Sequence, residues 1–174
     1  ITGTCLELGA GVGRVTNQLA LIFDKVVAVD ISSGNLELAA RRAEQLGLKN
    51  IEFKLVRSFD DYFQLECFDF LFSTITLQHN PPPVQMKLLD CLLGKITTGG
   101  GCLFQLATEH PGSSFRLAEY LQTNADGMEM HSLPMQSVLR LLETHQIQLL
   151  EVRPDGWTGE TGSFTFFAFP KSGT

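Results

Sequence analysis

The stretch Thr4-Cys5-Leu6-Glu7-Leu8-Gly9-Ala10-Gly11-Val12-Gly13-Arg14 decides the fold. Thr4 to Leu8 is a short run of strand formers, and it opens directly onto three glycines at alternate positions. Helical periodicity follows, with Val15, Leu19 and Ile22 spaced by four and then three. A buried strand, a glycine loop and a helix in that order form the first unit of an open parallel sheet. Missing β-carbons let a ligand reach the main chain, and backbone amides with a helix N-terminus would then face it.

Reading outward, Lys25 to Asp30 is a second strand, β-branched and closed by an acid. Ser32 or Ser33 caps a helix whose apolar face is Leu36, Ala39, Ala40, Ala43 and Leu46, and Gly47 stops it. Ile51 to Val56 is a third strand, and Phe68 to Ile75 a fourth, apolar on both faces as a central parallel strand requires. Asn80 is expected to cap a helix opened by Pro81 to Pro83, with the stripe Val84, Leu88, Leu89, Leu92, Leu93 and Ile96. Gly99 to Gly101 is read as the turn into a fifth strand, Cys102 to Ala107. A polar stretch from Glu109 to Met130 holds one short helical piece near Phe115 to Leu121, and Ser132 to His145 is helical. Gln146 to Val152 and Gly162 to Phe169 are two last strands joined only by a loop, hence an antiparallel pair. The pattern predicts an α/β fold: a doubly wound, mostly parallel seven-stranded sheet with an antiparallel C-terminal strand.

The 174 residues are the length of a single domain, and 44% hydrophobic with 18% charged residues is the composition of a folded globule. No apolar run approaches the roughly 18 to 20 residues of a membrane span, so no membrane partner is expected. Thirteen basic against 19 acidic residues leave a charge of −6 with no basic cluster, which argues against a nucleic-acid partner. The four cysteines, at positions 5, 67, 91 and 102, lack metal or redox spacing and read as free thiols packed in apolar surroundings. Without a visible signal peptide, a reducing cytoplasm is the default expectation. Ile1 is not an initiator methionine and the chain enters a strand within four residues, so an upstream segment is expected.

The glycine spacing narrows the ligand. A dinucleotide fingerprint is Gly-x-Gly-x-x-Gly, whereas here the third glycine comes one residue early and Arg14 takes its place. Glu7 adds negative charge where a pyrophosphate would be repelled and a cation welcomed. Asp30, at the tip of the neighbouring strand, is placed to accept two hydrogen bonds from a ribose diol. In this order the motifs resemble those of the class I S-adenosylmethionine-dependent methyltransferases. Glu7-Leu8-Gly9-Ala10-Gly11-Val12-Gly13 matches their first motif, and Val29-Asp30-Ile31-Ser32 their ribose-binding acidic motif. Phe68-Asp69-Phe70-Leu71-Phe72-Ser73 matches their fourth strand, and Leu93 to Leu103 resembles the helix and fifth strand that follow.

The resemblance implies S-adenosyl-L-methionine as cofactor, held by Glu7, Gly9, Ala10, Gly11, Gly13, Asp30, Ile31, Ser58, Phe59 and Ser73. Ser58 and Phe59 would face the adenine; where many relatives carry an acid for its amino group, this chain has Arg57, with Asp60 and Asp61 just beyond. Asn80-Pro81-Pro82 resembles a motif of amine methyltransferases, but Pro83 stands where that motif has an aromatic. His79 follows the fourth strand, where the transferable methyl should lie, and an imidazole there is a candidate base for an acceptor's proton. Glu109, His110 and His131 share no helix-face spacing, so no metal is expected, and Tyr120 and Trp157 are candidate stacking residues. The acceptor is expected to be a small molecule methylated at oxygen, nitrogen or carbon. A nicotinamide-dependent oxidoreductase and a catalytically inactive cofactor-binding partner subunit are the alternatives. Relatives carry a helical segment before the first strand, so an open cofactor groove and weak turnover are expected of this chain alone.

Overall fold

The computed structural model describes residues 2–109, 115–122, 127–156 and 162–171. Strand β1 (Thr4–Leu8) pairs in parallel with both β2 (Lys25–Asp30) and β4 (Phe68–Ser73), so both of its hydrogen-bonding edges are filled. β3 (Ile51–Leu55) lies outside β2, and β5 (Ile96–Glu109) outside β4. The chain then passes to β6 (Ile147–Pro154) at the far edge, and β7 (Gly162–Pro170) returns between β5 and β6, antiparallel to both. The seven-stranded order is β3-β2-β1-β4-β5-β7-β6. The expected fold is therefore the observed one, down to the reversed final strand.

Alternation along β1 sorts the core into two layers. Leu6 and Leu8 pack with Leu88, Leu89, Leu92 and Leu93 of helix α4 (Pro82–Leu93). Leu141 and Leu142 of α6 (Met135–Thr144) join the same layer. Cys5 points the other way, with Leu19 of α1 (Thr16–Leu19) and Leu36 of α2 (Ser33–Gln45). Two-sided burial is what a parallel sheet demands, and it explains the continuous apolar run Val26-Val27-Ala28-Val29 in β2. Two short helices complete the set, α3 (Phe59–Phe63) and α5 (Leu117–Tyr120). Among the described residues no helix is long and apolar enough to cross a membrane.

Several local expectations are corrected. The helix after the glycine loop has only four residues; the chain leaves it through i,i+3 turns, and Ile22 is exposed, so little helix N-terminus stands behind the loop. Asn80 does not cap α4: its side-chain amide donates back to the carbonyls of Thr76 and Leu77, and Pro81 takes the cap position. Ile96 belongs to β5, not to the α4 stripe. Helix α3 was not foreseen; Asp61, in its first turn, folds its carboxylate back onto the amides of Arg57 and Ser58. Cys5 and Cys102 are buried free thiols as read, but Cys67 is exposed.

Gly99 to Gly101 is not a turn before β5 but part of it, opposite an irregular register in which Phe68 pairs with Ile96 and Phe70 with Gly101. The reason is crowding. A β-carbon on Gly100 would collide with the Asp69 carbonyl, and one on Gly101 would stand 2.8 Å from the Phe169 ring. Gly100→Ala is expected to destabilise the fold by about 1 to 3 kcal/mol, since backbone cannot give way as a side chain can. Urea denaturation checks this, and an unchanged midpoint would mean that the bulge opens freely.

Candidate functional site

In the sheet order the chain winds outward from β1 in one direction and from β4 in the other, so a crevice opens where these two strands end. The glycine loop sits there. Gly9 and Ala10 donate their amides to the Val29 carbonyl, at 2.9 and 3.0 Å, which pins the loop to β2. The three glycines meet different needs. A β-carbon on Gly9 would collide with the Thr76 side chain, and one on Gly13 would lie 2.8 Å from Ala39 Cβ on α2. A β-carbon on Gly11, where φ is 53°, would meet no atom of the described residues within 4 Å. Two glycines thus serve packing, and only the middle one opens away from the protein.

Two carboxylates flank this loop. Glu7 is on the α1 side of β1, 3% exposed, where Thr16 Oγ1 donates to its Oε2. Burial pushes its carboxyl up to about 7, against the pull of the Thr16 bond, and the Asp30 charge adds to the rise. Asp30 terminates β2 with both oxygens placed: Oδ2 accepts from the Gly11 amide and Oδ1 from the Ser32 amide, each at 2.8 Å. The sequence brought Glu7, Gly11 and Asp30 together by motif, and the structure joins them by hydrogen bonds and charge. Ile31, the next residue, is 78% exposed, an uncovered apolar side chain beside the crevice.

At the end of β3 the amides of Arg57 and Ser58 both donate to Asp61 Oδ2, at 2.7 and 2.9 Å, and these bonds hold the Asp61 carboxyl below its ordinary range. Phe59 is half-buried, with Lys87 Nζ 4.4 Å from its ring centroid. Ser73, the last residue of β4, is buried and donates its hydroxyl to the Leu8 carbonyl at 3.1 Å.

Beyond β4 the backbone does something no motif announces. Ile75 has φ of 52°, a left-handed conformation that is an outlier for a β-branched residue. Its amide donates to Gln105 Oε1 at 2.8 Å. A 3-10 turn, Leu77–His79, follows, and His79 Nδ1 lies 2.9 Å from the Glu129 carbonyl oxygen. A carbonyl can only accept, so Nδ1 carries a proton and Nε2 is the nitrogen left to exchange one. The same segment is tied down again where His131 N donates to the Gln78 carbonyl, and His131 Nε2 is 2.8 Å from Glu129 Oε2. Tyr120 and Phe115 stand edge-on to the His131 ring. Gln105, Thr76 and Glu129 were missed. A polar residue amid the apolar run Cys102-Leu103-Phe104-Gln105-Leu106-Ala107 was the one available signal. His110 and Trp157 lie outside the described residues.

A sequence profile described as a methyltransferase domain matches residues 5–100, more than half of the chain. A search of curated proteins by sequence finds no match. Among solved structures, an S-adenosylmethionine-dependent methyltransferase from Methanosarcina mazei superposes with a TM-score of 0.72 at 18% identity, over 99% of this chain and 94% of that one. Magnesium protoporphyrin IX methyltransferase from Synechocystis, with bound S-adenosylhomocysteine, gives 0.70 at 18% identity over 97% and 74%. The N-methyltransferase NodS from Bradyrhizobium japonicum gives 0.69 at 17% over 97% and 78%. Such identities speak to the fold; the profile match, on the segment that carries the glycine loop and Asp30, speaks to the family. The chain belongs to the methyltransferase domain family, that of the S-adenosylmethionine-dependent methyltransferases.

Proposed function

We propose that the chain holds S-adenosylmethionine along the Gly9 to Gly13 loop and the Asp30 edge, and methylates a small-molecule acceptor beside His79. The observation that carries this reading is Gly11: alone among the loop glycines it has, among the described residues, no neighbour that forbids a side chain, and its amide is fixed by the strand-end carboxylate. The donor set suits a ligand with a cationic amino-acid end and a ribose. Glu7 offers a buried negative charge, Asp30 retains lone pairs for a diol, and Ile31 and Phe59 offer apolar faces for a base. Ser73 supports the site through Leu8, next to the loop. Bound, the cofactor supplies an activated methyl on a sulfonium, so the protein's tasks are alignment, exclusion of water and handling of the acceptor's proton. His79 Nε2 is the atom assigned to take that proton. The acidic charge balance and the missing basic cluster favour a small acceptor over a nucleic acid.

Parallel calorimetric titrations with S-adenosylhomocysteine and NAD test the cofactor assignment. Binding of NAD with no response to S-adenosylhomocysteine would overturn it. A pH series adds a finer check. Glu7 must be ionised to attract an ammonium, so affinity for S-adenosylhomocysteine should rise by up to about tenfold per pH unit below pH 7 and level off above it. Glu7→Gln should flatten this slope. The sign for stability is opposite: the folded chain binds this proton more tightly than the unfolded one, so the free protein loses stability as pH rises from the ordinary carboxylate range to about 7.

A further inference from the structure

Gln105 is 1% exposed, set in β5 between Phe104 and Leu106, which are both fully buried. A buried amide persists in such a place when its hydrogen bonds are made. Its Nε2 donates to Ser163 Oγ on β7 at 3.0 Å, which turns Oε1 toward β4, where the Ile75 amide donates to it. Ile75 needs that hold. A β-branched residue in the left-handed region is disfavoured, and such a conformation lasts only where its surroundings impose it.

What the imposed turn delivers is Thr76. Its side chain occupies the space that a β-carbon on Gly9 would fill, so it closes on the cofactor loop. Its hydroxyl donates to the Thr74 carbonyl at 3.0 Å. Its own carbonyl accepts from His79 N at 3.2 Å and from Asn80 Nδ2 at 3.1 Å, starting the turn that presents His79. One residue therefore braces the glycine loop on one side and the candidate base on the other. We propose that Gln105 is a positioning residue: by holding Ile75 left-handed it seats Thr76 between the Gly9 loop and the His79 turn, and so sets the two halves of the site against each other. The inference builds on the reading of the site given above, but its structural core, the bracing of both segments, can be measured without cofactor.

The test compares the full chain with Gln105→Leu by amide hydrogen exchange and by calorimetric titration with S-adenosylhomocysteine. Exchange should quicken at least about tenfold in residues 9–13 and 76–80 while β2 stays protected, and affinity should fall by about 5- to 30-fold. Ile75→Gly placed in the Gln105→Leu background should recover much of the protection in both segments, because glycine adopts this φ without a β-carbon penalty. A mere loss of core packing would not be repaired by removing a second side chain. Wild-type exchange in either segment of Gln105→Leu, or no recovery with Ile75→Gly, would overturn the proposal. If Gln105→Leu does not fold, Ser163→Ala, which frees the far end of the amide, should show the same pattern at about two- to fivefold, and its absence would equally overturn it. A wild-type chain that binds no S-adenosylhomocysteine would sink the cofactor reading alone, since the exchange data still decide the role of Gln105.

Discussion

His79→Ala is expected to lower kcat by about 10² to 10⁴ with a competent acceptor, while leaving S-adenosylhomocysteine affinity within about twofold. The geometry gives the reason. The Glu129 carbonyl fixes the tautomer through Nδ1, and Nε2 is left as the basic atom just beyond β4. Among the described residues the ring makes no hydrogen bond to the glycine loop or to Asp30, so cofactor binding should survive its loss. The pH–rate profile supplies the readout that a structural role would not move: the limb that belongs to the imidazole should vanish. His79→Gln, which keeps an amide in place of the Nδ1 donor but has no basic nitrogen, should be as slow as alanine. A variant that keeps most of its activity would return His79 to a purely structural role, anchoring the 127–131 segment, and catalysis would then rest on proximity.

Asp30→Ala is expected to weaken S-adenosylhomocysteine binding by about 1.5 to 3 kcal/mol, roughly 10- to 150-fold, the scale of a lost charge-assisted hydrogen bond. Two effects act together. The acceptor for a ribose hydroxyl disappears, and so does the carboxylate that holds the Gly11 and Ser32 amides at 2.8 Å. Asp30→Asn separates them, because one oxygen can still accept from a single amide. It should keep more of the fold's stability than alanine while losing most of the affinity. Thermal denaturation beside calorimetry distinguishes the two outcomes, and unchanged affinity in a folded Asp30→Ala protein would remove this residue from the site.

Where structure depends on neighbours in the chain, it was legible. β1 and β2 cover the same residues that read as strands, Thr4 to Leu8 and Lys25 to Asp30, and Ser32 caps α2 through the Asn35 amide as its position suggested. That Asp30 stands beside the glycine loop was legible too, because a glycine loop and a strand-end acid keep their relation whenever β1 and β2 are adjacent; the bond from the Gly11 amide was not. What escaped depends on distant partners. Gly100 looks like a turn until the Asp69 carbonyl is seen against it. Asn80 looks like a cap for the helix ahead, yet the carbonyls that it satisfies lie behind it. The partner of His79 is 50 residues away, in a segment whose sequence carries no periodicity to place it. Ile75 is the sharpest case, since nothing in a β-branched residue predicts a left-handed backbone; only the buried Gln105 amide explains it.

The reversed β7 also fixes an order of events in biosynthesis. β5 and β6 emerge from the ribosome first, yet neither pairs with the other in the finished sheet, and the strand that joins them is made after both. Until residues 162–170 arrive, β5 displays an open hydrogen-bonding edge and β6 has no strand to pair with. The half of the molecule from β1 to β4 can assemble as it is translated, but the other half must wait for its latest piece, and long-range pairings of this kind are slow to form. A nascent chain paused before β7 would offer β5 to any passing strand, which makes this interval the one in which a chaperone's cover matters most.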